Sequence, residues 1–408
     1  MISYGIILAS GTGSRYGSDL PKQFAKIAGR TVFEHTVDVF ENSPFIDLLI
    51  VVVTPGYRSF AEELIRRNNY RKIIKLLDGG ATRKESSGIG VSAVEEAEAK
   101  VIIHDCARPF LPPEIIGECV NALDKYDAVN VAIPSVDTII KVDGDFIDSI
   151  PERKFLRRVQ TPQCFKLSTI KKAHELSGDD DNFTDDCGMI VKYGLGKVYI
   201  VNGSAENIKI TYPEDVHIAD KIFAARRIEH LQQLDLTDLK GKVIVFLGDT
   251  GTRLPDLANQ YGAIVCTGDG SSINSFLKQV YSENGKIDHV VLSVGNSRQR
   301  KLLDRAPADI KEDIESGCIG TINAVKAILP YWQKSPGSFL LFAADSKTAA
   351  PAVNLVGTLA EELEKTDIKI NAFSGSPELS AEDAAKASLK ILLSDLTGRI
   401  IDAKSFGS

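Results

Sequence analysis

The chain has no CxxC pair: its six cysteines, at 106, 119, 164, 187, 266 and 318, are scattered. That spacing excludes a paired-cysteine zinc site and a disulfide framework, and reads as reduced thiols of a cytoplasmic protein. Excess positive charge is absent too. The 48 Lys and Arg against 55 Asp and Glu leave a net charge of -7, which argues against a nucleic-acid or membrane-surface binder, whose footprint is basic. The start, MISYGIILAS, lacks the basic region and cleavage pattern of a signal peptide. No apolar run approaches the roughly 18 residues that cross a bilayer. Short repeats and low-complexity tracts are missing as well. What remains is 43% hydrophobic and 25% charged residues, the proportions of a globular protein. At 408 residues the chain is too long for one ordinary core.

The pattern along the chain is strand, loop, helix, repeated. YGIILAS, DLLIVVVTP, KVIIHDCA, AVNVAIPSV and KVYIVNGS are short apolar or β-branched runs, and helix-like stretches such as VFEHTVDVFENS and PPEIIGECVNALDKY lie between them. Continuous apolar strands alternating with amphipathic helices predict a mainly parallel sheet covered on both faces. From Thr138 to Phe165 the rhythm changes: two or three strands with a DGD turn and no helix predict an antiparallel arm. YPEDVHIADKIFAARRIEHLQQL reads as one long helix, DLTDLKGK as a polar break, and a fresh alternation starts at KVIVFLGDTG. It continues through GAIVCTGD, HVVLSVG, SFLLFAAD and IKINAFSG, with GRIIDAKSFGS as a final short strand and tail. The expected organisation is two Rossmann-like three-layer α/β domains, 1–232 and 240–408, the first with a protruding β-arm.

GIILAS-GTGSR places a small-residue turn directly after the first strand. Gly11 and Gly13 let the backbone bend sharply and aim N–H groups at an anion, and a following helix N-terminus adds its dipole. Arg15 and Lys22 add two cations, and arginine grips phosphate with two parallel hydrogen bonds. A plain glycine turn with surface charges has the same look. The loop is neither a P-loop, which needs GK[ST], nor a dinucleotide fingerprint, which needs a third spaced glycine.

Behind that loop stand PKQF, DGGATRKES, HDCARPF, VQTPQCF, FTDD and NIKITYPED, in this order. As an ordered set over roughly residues 1–228 they resemble the cytidylyltransferases that activate sugar-alcohol phosphates, with methylerythritol-phosphate and ribitol-phosphate branches. The resemblance implies a nucleotidyltransferase fold and a role for each matching residue. Ala9, Ser10, Gly80 and Ser86 match positions that recognise the cytosine and ribose of CTP, and Gly11, Gly13, Arg15 and Lys22 those that hold its triphosphate. Arg15, Lys22 and Lys209 match the residues that stabilise the α-phosphate during transfer. Asp105 matches a ligand of the magnesium–phosphate complex or an orienter of the acceptor's hydroxyls. Arg108, Thr138, Arg153, Thr161 and Lys209 match positions around the acceptor's phosphate and polyol. Ala81 departs from the methylerythritol branch, which has an acidic residue there. In this family the arm reaches a second subunit, so a homodimer with composite sites is implied.

The implied chemistry suits these charges. A phosphate-monoester oxygen, already anionic near neutral pH, attacks the α-phosphorus of CTP and pyrophosphate leaves. The protein must hold two mutually repelling anions and stabilise charge on the α-phosphate, a task for Arg15, Lys22, Lys209 and an oxygen-ligated Mg²⁺. The Ile-Pro-x-Arg arm resembles the ribitol branch, so D-ribitol 5-phosphate giving CDP-ribitol is the expected reaction. Methylerythritol phosphate is the alternative acceptor.

KVIVFLGDTGTRLPDLANQYGAIV opens a stretch, about 240–408, that resembles a short-chain dehydrogenase/reductase. Gly248 and Gly251 occupy two fingerprint positions, but Arg253 takes the third, where a side chain crowds the pyrophosphate. Asp269 stands where an acidic residue reaches a ribose hydroxyl, but the preferred reading is an ordinary strand-end aspartate. SVG at 293–295 replaces the family's Asn-Ala-Gly, and Ser346 is an offset match for its serine. The family's general-acid tyrosine, with a lysine four positions on, has no match, because no tyrosine follows Tyr331. The expectation is a folded but degenerate reductase-like domain serving stability, dimer contacts or partner docking. The alternative is a bifunctional enzyme that also reduces ribulose 5-phosphate.

Overall fold

The computed structural model of the chain describes residues 1–11, 20–180, 182–249, 253–269, 272–294, 306, 308, 311, 314–333, 335–343, 346–363, 366–375 and 379–402. At 224, 227, 316, 346–349 and 402 it describes the backbone alone. The chain divides into two compact units, Met1–Phe223 and Ala224–Ser408. The division falls inside the long helix Glu214–Gln233, where the sequence pattern places it after that helix. Its early residue Ala219 is buried with Ile27, Val32, Phe110 and Ile210, and its late residue Leu231 with Leu236, Leu239 and Ile244.

The first unit holds a seven-stranded sheet in the order Val198–Asn202, Ala128–Pro134, Arg157–Lys166, Lys100–Asp105, Ser3–Ala9, Leu48–Val53, Ile73–Asp78. All neighbours are parallel except Arg157–Lys166, which runs antiparallel to both of its own. Because side chains alternate along a strand, adjacent residues feed opposite layers. Ile7, Val51 and Ile102 pack with Phe33, Val37, Phe40 and Ile116 on one face. Ile6, Ile50 and Ile103 pack with Val91, Ile170 and Met189 on the other. The arm is present, with strands Lys141–Asp143 and Phe146–Ser149 paired antiparallel around Gly144, whose φ of +57° is the left-handed turn conformation. Its return differs from the expected free arm. Arg157–Lys166 pairs with Ala128–Pro134 of the main sheet from Arg157 onward, exposed over its first three residues and buried from Gln160 to Phe165.

The second unit holds six parallel strands in the order Ile264–Gly268, Val243–Leu247, His289–Val294, Ser338–Ala343, Lys369–Ser374, Arg399–Asp402. Val245, Val290 and Leu341 pack toward Leu277, Ile328, Trp332 and Val356 on one face. Ile244, Val291 and Leu340 pack toward Leu254, Ala385 and Leu389 on the other. All six cysteines are free, and four of them are buried. Among the described residues no helix is long and apolar enough to cross a membrane.

Candidate active site

In an open α/β sheet a ligand cleft forms beyond the carboxyl ends of the strands where the strand order reverses. In the first unit that point lies between Ser3–Ala9 and Lys100–Asp105. A cleft sits there, lined by Leu8, Ser10, Gly11, Lys22, Gln23, Gly80, Ala81, Thr82, Arg83, Asp105, Cys106, Ala107 and Lys209. Of the residues singled out from sequence, Ser10, Gly11, Lys22, Gly80, Asp105 and Lys209 share this wall. Gly13 and Arg15 lie outside the described residues, as does Gly251 in the second unit.

The wall is built by close backbone approaches. Gln23 of PKQF donates its side-chain amide to the Ala9 carbonyl (2.5 Å), the Gly11 carbonyl (3.2 Å) and Thr54 Oγ1 (2.8 Å), which ties the end of the first strand to the residues around Lys22. The Gly79–Gly80 turn presses against the same strand end. A Cβ on Gly79 would stand 2.3 Å from Ser10 Cβ, and one on Gly80 would meet Glu85 at 2.4 Å, so no side chain fits at either position. Ser86 lies one layer behind, accepting from the Gly80 N–H (3.2 Å) and donating to the Thr82 carbonyl (3.0 Å). Thr82 caps helix Arg83–Ser92 in a capping box with Glu85. Ala81 donates its N–H to Glu85 Oε2 at 2.6 Å.

Asp105 ends its strand with its side chain between two cations. One carboxylate oxygen accepts from Arg83 Nε at 3.2 Å, and the other from Lys209 Nζ at 2.7 Å. Burial pushes this carboxyl's pKa up, but Arg83, Lys209 and Arg108 outweigh that and hold it far below the usual carboxylate range. Asp105 is thus a fixed anion. Arg108 stands behind the wall, its Nη1 donating to the Asn207 carbonyl at 2.7 Å, and its Nε is buried without a partner.

Thr161 lies beneath Asp105. Its hydroxyl oxygen accepts from the Asp105 N–H at 3.1 Å and pairs with His104 Nδ1 at 3.0 Å. His104 Nε2 meets the Arg108 carbonyl at 3.0 Å. That carbonyl can only accept, so the ring proton belongs on Nε2 and Thr161 donates to Nδ1. Burial lowers the His104 pKa to about 4, which keeps the ring neutral near pH 7. The Thr161 hydroxyl is therefore spent within the protein, supporting Asp105 from below. Thr138 and Arg153 are elsewhere. Both are exposed on the arm; Arg153 donates to the Val136 carbonyl at 3.0 Å and lines a separate concavity with Ser135, Lys154 and Arg157. Within one chain, the arm residues do not line the Asp105 cleft.

Sequence reasoning missed Arg83, Gln23 and Asp186. Arg83 and Gln23 sit inside recognised motifs, but only the fold shows that one reaches Asp105 and the other the strand end.

In the second unit, Gly248 has φ +81° and its missing side chain would stand 3.3 Å from the Ser293 carbonyl. The turn therefore keeps its close approach. Arg253 and Asp269 are exposed, and Ser346 is described by backbone only. Tyr261, Tyr281 and Tyr331 are followed four residues later by Val265, Gly285 and Ser335, never by lysine.

The family model described as IspD, 2-C-methyl-D-erythritol 4-phosphate cytidylyltransferase, matches residues 4–225. The chain is 37% identical over 450 positions to a bifunctional ribulose 5-phosphate reductase/CDP-ribitol pyrophosphorylase of Haemophilus influenzae, covering 98% of this chain and 95% of the relative. Those 450 positions exceed the 408 residues present, so part of that relative has no counterpart here. It is also 37% identical over 226 residues to a 2-C-methyl-D-erythritol 4-phosphate cytidylyltransferase of Thermobifida fusca, covering 53% of this chain and 91% of the relative. A solved 4-diphosphocytidyl-2C-methyl-D-erythritol synthase of Anaerococcus prevotii is 30% identical with a TM-score of 0.49, over 54% of this chain and 96% of that one. By the family model and the two relatives, the chain belongs to the IspD family of CTP-dependent cytidylyltransferases.

Proposed function

We propose that the first unit transfers the cytidylyl group of CTP to D-ribitol 5-phosphate, releasing pyrophosphate and forming CDP-ribitol. The observation that carries the transfer is Lys22, Lys209 and Asp105 on one wall with Ser10, Gly11 and Gly80. Backbone at Ser10 and Gly80 receives the nucleoside, and Lys22, with Arg15 outside the described residues, receives the triphosphate. Lys209 offsets charge that builds on the α-phosphate, where a preformed cation needs no reorganisation during reaction. The choice of ribitol rests on the Haemophilus influenzae relative, whose name carries CDP-ribitol and whose alignment spans nearly the whole chain.

The acceptor phosphate is bound by Lys209 and, from the arm, by Arg153 and Thr138, with Arg108 and Thr161 shaping the floor. The arm exposes Val142, Phe146, Ile147 and Phe155, with Phe146 at 80%. An apolar surface of that kind suits a second copy of the chain, and a homodimer would bring arm residues to a neighbouring cleft. Mg²⁺ fits one position. Asp105 is the carboxylate on the described wall, its charge is permanent, and Mg²⁺ commonly takes one or two carboxylates plus substrate phosphates. Bound there, the ion would neutralise phosphate charge and bring the two anions together.

The test is pyrophosphate release from CTP and Mg²⁺ with a panel of polyol phosphates. Ribitol 5-phosphate is expected to give the highest kcat/KM, and a preference for methylerythritol phosphate would overturn the acceptor. The two-activity name of the same relative favours a second reading, in which the second unit reduces ribulose 5-phosphate. The absent Tyr–Lys pair and the arginine at 253 weigh against it. NADPH oxidation with ribulose 5-phosphate is expected to stay at background, and oxidation at a rate matching the transferase would restore the bifunctional reading. With the reductase lost, the second unit serves stability, dimer contacts or partner docking, and the site of action is the cytoplasm.

A further inference from the structure

Two sequence motifs, VQTPQCF and FTDD, put no side chain on the cleft wall, yet both bury polar groups immediately behind it. Asp186 of FTDD is fully buried. It accepts from Arg83 Nη1 at 2.8 Å and from Ser87 Oγ at 2.6 Å. Gln163 of VQTPQCF accepts the Asp186 N–H at 2.8 Å and donates to Asp185 Oδ2 at 2.6 Å. Asp185 in turn caps helix Asp186–Lys192 by accepting from the Gly188 N–H. From the other side, Lys84 donates to the carbonyls of Gly178 (2.6 Å) and Asp180 (2.9 Å). Arg83 and Lys84, adjacent at the start of one helix, thus both grip the segment that carries FTDD.

The guanidinium of Arg83 joins this buried assembly to the cleft. Its Nη1 is on Asp186 and its Nε on Asp105, while Nη2 is buried without a partner. Such an arrangement holds a planar fork in one orientation between two carboxylates. A lysine, a single point charge on a flexible stem, cannot reproduce it. Without the arginine, Asp105 would keep its 2.7 Å bond to Lys209 but lose the bond that fixes its other oxygen, leaving the carboxylate free to turn about that one contact.

We propose that Arg83 is a positioning residue of the transfer reaction: anchored by Asp186, it fixes the second oxygen of the Asp105 carboxylate and so sets that carboxylate's orientation beside Lys209. This rests on the transferase reading of the cleft given above.

The test is steady-state kinetics of full-length Asp186→Asn, Arg83→Lys and the double variant, with CTP, Mg²⁺ and the polyol phosphate the wild type turns over best. Asp186→Asn is expected to lower kcat about tenfold and Arg83→Lys about a hundredfold, the scale of a small misplacement in an active site. The KM for CTP is expected to stay within about twofold, as befits an interaction that acts in the transition state. The double variant is expected to be no slower than Arg83→Lys, because both changes break one chain of contacts. Wild-type kcat in Asp186→Asn, full activity in Arg83→Lys, multiplying effects in the double variant, or a raised KM at constant kcat would each overturn the proposal. If Asp186→Asn does not fold, Ser87→Ala removes one hydrogen bond from Asp186 and is expected to lower kcat about threefold at unchanged CTP affinity; unchanged kcat there would overturn it. A wild type that releases no pyrophosphate with any polyol phosphate would instead bring down the transferase reading itself, before any variant is compared.

Discussion

Both units set a glycine turn after their first strand, Ser10–Gly11 in one and Gly248 in the other, at the carboxyl edge of a largely parallel sheet. In the first unit that edge carries Lys22, Lys209, Arg83 and Asp105 on one wall. In the second, the concavity beside the turn is lined by Leu247, Gly268, Asp269, Ser272, Ile273, Ser275, Phe276 and Gln279, with no cation among them. The scaffold supplies a place for a nucleotide, and the side chains placed there decide whether phosphate chemistry follows.

The largest expected effect tests that contrast directly. Lys22→Ala or Lys209→Ala should lower pyrophosphate release by about 10²–10³-fold, the range seen when one preorganised charge-stabilising group is lost. Arg253→Ala, in the second unit, should leave release unchanged. An unaffected Lys22→Ala would erase the distinction between the two edges.

The next contrast is between two buried histidines. His104 has partners on both ring nitrogens, whereas neither nitrogen of His289 has one. Burial lowers both pKa values to about 4. Below its unfolded pKa of about 6.5 each ring is protonated in the unfolded chain but not in the folded one, so the unfolded state binds more protons. Stability from each is therefore complete above about pH 6.5 and is lost as pH falls toward 4, by about 3 kcal/mol each in order of magnitude. His104→Gln should destabilise the first unit. His289→Leu should leave the second unit as stable or more so at neutral pH, and should flatten its acid sensitivity, because no hydrogen bond is given up. Melting temperatures of the two variants between pH 4 and 7 check the sign.

A smaller effect sharpens the comparison. CTP at about 100 times its dissociation constant should stabilise the unit that binds it by about 2.7 kcal/mol. In a calorimetric scan one transition should rise while the other stays in place. Movement of the second unit's transition instead would mean that its glycine turn still holds a nucleotide.

Most strands of both sheets were legible because each is a continuous apolar run with β-branched residues. The strand Ile73–Asp78 was not. It is an edge strand, half exposed, with Lys75 in its middle, so its pattern lacks the signature of burial on both faces. Helix Arg83–Ser92 was also hidden, because its segment holds two glycines and three serines and has weak helical propensity. The capping box of Thr82 and Glu85 that starts it is seen in the structure. Asp105 and Lys209 could be placed from their motifs, whereas the bond of Arg83 to Asp186 joins residues 103 positions apart. No local spacing encodes such a pair. Thr161 was recognisable by motif, but its use as a prop for Asp105 depends on His104 lying beside it in the fold.

The strand Arg157–Lys166 carries the chain from the arm into the main sheet, with Thr161 on the way. Facing alternates with every residue along a strand, so inserting one residue just ahead of Thr161 would swing its hydroxyl away from His104 and bring a neighbour in its place. The arm's phase is therefore locked by the floor of the cleft. Variation in the arm is free only upstream of Arg157, where the backbone has not yet committed to the sheet.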